Sequence, residues 1–96
     1  MEETHNIEYK RQWRDEWLQW ICGFANAEGG IINIGLDDHG NPVGLDKIKK
    51  LMEDIPSKII NKLGIVPDVK QLTKEGFDYI EITVKPSNVP ILLDGV

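Results

Sequence analysis

The sequence predicts an α/β sandwich in which two main helices pack on a mixed β-sheet, in the order β-α-β-α-β-β-β. Three observations carry this. Over 12–27 and 46–63, apolar residues recur every three or four positions, the period of a helix with one buried face. Over 77–85 they alternate, the period of a strand with one face covered. Glycine, proline, aspartate and asparagine stand between these stretches and mark turns. Helix and strand periods that alternate along a chain argue for helices layered on a sheet.

The first strand is read at 6–10, "NIEYK", with Ile7 and Tyr9 on one face and Glu8 and Lys10 on the other. In the helix at 12–27, Trp13, Trp17, Trp20 and Phe24 form a stripe that Leu18, Ile21 and Ala25 widen. Packing in the core or on a partner helix is the default reading of the tryptophans, because each buries a large apolar area. A base-stacking platform is the alternative and needs exposed rings. Asn26 sits one turn before Gly29 and Gly30, where its amide suits open backbone groups at the helix end. The two glycines allow a tight reversal into the sheet.

"IINIGL", 31–36, reads as a buried strand, and Gly35 permits close backbone approach. "DDHGNP", 37–42, is a turn shaped by Gly40 and Pro42; 43–45 is a short continuation relaxed by Gly44. Asp46 is the expected N-cap of the second helix. Ile48, Leu51, Met52, Ile55, Ile59, Ile60 and Leu63 form its apolar face, Pro56 predicts a kink or a break into two, and Gly64 closes it. A hairpin follows, 66–73 and 77–85 around "KEG", and then a last strand at 90–93.

Ninety-six residues suit one domain, 1–96. The closing "NVPILLDGV" reads as a strand and turn without a returning strand, so the expectation is the N-terminal fragment of a longer protein. There is no apolar run long enough to span a membrane and no secretory pattern at the start. Cys22 stands alone in a helical apolar pattern, which suits an inert thiol in a reducing cytoplasm. The net charge of −5 argues against capture of nucleic acid by the field of the whole chain. Basic residues nevertheless gather at two places. Lys10, Arg11 and Arg14, with Lys47, Lys49 and Lys50, are candidate phosphate contacts; the plain alternative is a solvated helix face.

Gly30 and Gly35 have the glycine spacing of a phosphate-binding loop, but Leu36 and Asp37 stand where lysine and a hydroxyl are needed. The glycines also follow a helix and precede a strand, so no helix N-terminus points at them. One cysteine with His5 and His39 does not make a zinc site, and no nucleophilic triad is arguable. Glu3, Glu8, Asp37 and Asp38 offer hard oxygen ligands at element boundaries, which suit Mg²⁺ or Mn²⁺ if the first two strands bring them together. Otherwise the aspartates only shape a turn.

"IEYK", a helix ending "GFANAEGG", and then "IINIGLDDHGNPVGL" together resemble the Schlafen-type AlbA_2 domain. So does "EITVKPSNVPILLDG", which is similar to that family's closing strands. The resemblance covers nearly the whole chain, with Asn26, Gly29, Gly30, Gly35, Gly40 and Gly44 as its signature. It implies a DNA-binding domain of a bacterial transcriptional regulator, with DNA or RNA as partner and no cofactor. The divergent ATPase label once given to the family does not carry over, since the phosphate-binding loop is missing. The resemblance also implies an alternative. In animal members a related domain cuts RNA with three carboxylates, and Glu3 and Glu8 match the spacing of two of them. Asp37 or Asp38 stands in the region of the third, which would make a metal-dependent ribonuclease holding Mg²⁺ or Mn²⁺. A third reading is an oligomerisation or effector-sensing domain that packs its tryptophan-rich helix on a partner, with a homo-oligomer as one form of it.

Overall fold

The computed structural model describes residues 6–95. Four strands, β1 (Ile7–Lys10), β2 (Gly30–Ile34), β3 (Asp68–Lys74) and β4 (Phe77–Val84), form one sheet in the order β1-β2-β4-β3. β1 and β2 run parallel, and the other pairs are antiparallel. The sheet is therefore mixed, as expected. Helices α1 (Leu18–Ala25) and α2 (Ile48–Leu63) cover one face of it.

Cross-strand partners share a face, so the register sorts the side chains. Ile32 pairs with Ile82 and Ile34 with Ile80, and all four are fully buried with Ile21 of α1 and Ile55 and Ile59 of α2. Glu8 pairs with Ile32 and Lys10 with Ile34, which puts both on the helix side of the edge strand β1. Tyr9 and Asn33 pair on the opposite face and are also buried.

Several elements differ from the sequence reading. The first helix is shorter: Arg14 is extended, a 3₁₀ turn over Asp15–Trp17 follows, and α1 ends at Ala25. Phe24 O accepts the N–H groups of both Ala27 and Gly29, which closes the helix two residues early. A Cβ on Gly29 would stand 2.6 Å from Val84 O, and one on Gly30 2.7 Å from the Phe24 ring, so both glycines answer close packing as well as the turn. The tryptophan stripe divides. Trp13 and Trp17 are half-buried against the core, and Trp20 is exposed.

α2 is continuous through Pro56. Proline removes one ladder bond, and the apolar face buried at Ile55, Ile59 and Leu63 offsets that loss. Asp46 does not cap α2. Lys47 holds the cap position with φ 55° and no side-chain hydrogen bond. Residues 43–45 form no strand; the chain makes only an isolated bridge between Leu36 and Pro42.

The last predicted strand is absent. Pro90 brings no N–H to a ladder, and the backbone of Ile91 is instead held by side chains of α1's end, chiefly Asn26 with Cys22 Sγ beside it. Asn26 Nδ2 donates to Ile91 O at 2.8 Å and Asn26 Oδ1 accepts from Ile91 N–H at 2.6 Å. Asn26 therefore satisfies backbone groups far along the chain rather than those of its own helix end.

Candidate nucleic-acid interface

The candidate interface starts from the loop that leaves β2. Gly35 has φ 104°, and a Cβ there would lie 2.9 Å from the Leu45 side chain and 3.2 Å from Tyr79 Cβ. Only glycine lets the chain pass so close in that conformation. The turn beyond it is built by Asp37, whose Oδ1 accepts the N–H groups of His39 and Asn41, both at 2.9 Å. These bonds hold the Asp37 carboxyl below its ordinary pKa, that from Asn41 contributing most. Gly40 and Gly44 take positive φ on the way out. Lys74 Nζ donates to Gly40 O at 2.7 Å and ties the turn to the β3–β4 hairpin.

The loop is thereby aimed back towards the exit of β1. A cleft results, lined on one side by Arg11, Gln12 and Trp13 and on the other by Gly44, Leu45, Asp46 and Leu51. Of the six candidate cations only Arg11 lines this cleft; Lys47, Lys49 and Lys50 lie in sequence between Asp46 and Leu51, which line its other wall. The six are not equivalent. Arg11, Lys47 and Lys49 are exposed and make no ion pair among the described residues. Arg14 reaches Glu16 at 3.3 Å and Lys50 reaches Asp54 at 3.2 Å. Lys10 Nζ stands 4.3 Å from the Trp17 ring centroid and 5.0 Å from that of Trp20. An ammonium over an indole face is held by the ring quadrupole. Asp46 adds an acidic group to the cleft that sequence reasoning took only for a cap; no local signal distinguishes the two roles.

Among the described residues the candidate carboxylates do not converge. Glu3 lies outside the described residues. Glu8 is level with Ile32, well before Asp37 along the sheet, and Asp38 is exposed beside the Asp37 turn. Among the described residues no group of three His, Cys, Asp or Glu side chains converges on a point where a metal could sit. Also among the described residues, no helix is long and apolar enough to cross a membrane.

Comparison with known proteins gives three findings. The model of the family described as "Schlafen, AlbA_2" matches residues 3–93. No curated protein matches the chain. Solved structures that share the fold include the following two. One is the N-terminal domain of a protein from Nitrosomonas europaea described as related to the ATP-dependent DNA helicase RecG, with a TM-score of 0.82 and 23% identity over 97% of this chain and 72% of that one. The other is the DIP2311 protein from Corynebacterium diphtheriae, with a TM-score of 0.74 and 21% identity over 98% of this chain. This chain spans only 20% of that protein's length.

Proposed function

The chain belongs to the Schlafen AlbA_2 family, and from that premise we propose that it is a nucleic-acid-binding domain of a DNA-binding transcriptional regulator. The observation that carries the proposal is the shared cleft. Arg11 lines it, Asp46 lines it immediately before Lys47, and Lys49 follows in the first turn of α2. Arg11 in the cleft wall, with Lys47 and Lys49 between the lining residues Asp46 and Leu51 in sequence and none of the three in an ion pair among the described residues, suits a run of phosphates, which positions a duplex without reading its sequence. Arg14 and Lys50 contribute less, because a phosphate must first displace Glu16 or Asp54. The description of the Nitrosomonas protein as helicase-related is in keeping with this reading.

The test is the salt dependence of binding to a fluorescent duplex, followed by anisotropy. Every phosphate left without its cation should reduce the log–log salt slope by about 0.9. Arg11→Ala and Lys49→Ala should each weaken binding and flatten the slope by roughly that amount. Affinity that ignores salt between low and moderate ionic strength would sink the proposal.

A further inference from the structure

Of the three indoles, two are tethered. Trp13 Nε1 donates to Asp15 Oδ1 at 2.8 Å, and Trp17 Nε1 donates to Gln12 O at 3.0 Å. Trp20 makes no hydrogen bond among the described residues and is 41% exposed. Its ring borders a hollow lined by Gln19, Trp20, Gly23, Phe24 and Ala27, with no carboxylate among them. Lys10 touches the same ring without lining the hollow.

Gly23 is the second observation. It lies inside α1, where glycine is a poorer helix former than alanine. Its backbone has no positive φ, and a Cβ there would meet nothing within 4 Å. Among the described residues nothing therefore requires glycine at this position. A methyl group would project into the hollow beside Trp20.

We propose that the hollow beside Trp20 and Gly23 is a stacking site for an unpaired base, so that the domain takes single-stranded nucleic acid at this face. The inference rests on the nucleic-acid reading above and names the form of strand bound. The bare backbone at Gly23 leaves room for the edge of a base lying on the indole. Gln19 offers an amide to that edge. Lys10 and Arg11, at the end of β1, supply positive charge for the adjoining phosphates. The cations lie on one side of the ring, so a strand stacked on Trp20 leaves towards Lys10 and the cleft.

The experiment compares a fluorescent oligodeoxythymidylate of about 12 nucleotides with the same strand annealed to its complement. The parent chain should prefer the single strand. Trp20→Ala should lose roughly 5- to 150-fold in single-strand affinity, with Trp20→Phe retaining most of it. Gly23→Ala should raise the melting temperature by roughly 4 to 8 °C and still weaken single-strand binding. A purely structural role for Gly23 would link those two effects in the same direction. If both variants bind like the parent while Arg11→Ala weakens, the stacking site is overturned and the duplex interface stands. Binding of neither strand form by the parent removes both readings. A change in self-association of Trp20→Ala, seen by ultracentrifugation with nucleic-acid affinity unchanged, makes the face a protein contact and also overturns the inference.

Discussion

A side-chain amide is one of the contacts that hold the segment around Ile91. Asn26 gives both of its polar atoms to Ile91, and Cys22 Sγ lies 3.3 Å from the same carbonyl. Removing the amide should leave the Ile91 N–H without its acceptor and the Ile91 carbonyl with only the weak Cys22 thiol donor. Asn26→Ala is therefore expected to cost about 1–3 kcal/mol, two hydrogen bonds at their net worth, measured by urea unfolding. Asp37 makes a different prediction, in pH. Its folded pKa is lowered from the ordinary 3.8, chiefly by the Asn41 N–H. Its contribution to stability is then present above 3.8 and fades as pH falls through the lower folded value. Asp37→Asn keeps an acceptor oxygen but cannot titrate. The stability difference between parent and variant should shrink as pH falls below about 4; a difference that stays constant with pH would count against the turn as described. Asp15 and Asp78, whose carboxyls are also lowered, remain in both proteins and cancel.

At the level of elements, period was legible and pairing was not. The β3–β4 hairpin could be read from alternation, because Ile80, Ile82 and Val84 must all face one core. Helix α2 was legible for the same reason, and its apolar face overrides the proline that suggested a break. The final strand was misread because apolar composition does not reveal whether a ladder or an amide will take the backbone groups of Ile91. The cleft was out of reach altogether. Its two walls meet only because β1 and β2 are neighbours and Gly35 lets the following loop turn back. Which cations stay unpaired depends on side-chain neighbours that spacing does not supply. The hairpin turn carries its own prediction. Glu75 and Gly76 have φ of 52° and 81°, a two-residue turn in which both residues are left-handed. That geometry prefers Asn-Gly. Glu75→Asn should stabilise the fold by roughly 0.5–1 kcal/mol, with the denaturation midpoint moving up and its slope unchanged.

For the whole molecule the question is how a chain of net charge −5 holds a polyanion. The attraction must be local. At 0.1 M salt the Debye length is about 10 Å, so phosphates in the cleft sense the nearby charges and little of the far surface. Arg11 attracts there, Lys47 and Lys49 follow closely on Asp46 in sequence, and Asp46 in the same cleft opposes them. Asp68 is level with Thr83 and starts β3 at the end of the sheet away from Gly35, several strand residues from the cleft. Asp46→Asn should therefore strengthen duplex binding at 0.1 M salt. Asp68→Asn should leave it unchanged there and strengthen it only near 0.01 M, where the screening length grows to about 30 Å. The contrast separates a local site from general charge balance. If the two variants behave alike at 0.1 M salt, the anion is bound somewhere other than the cleft.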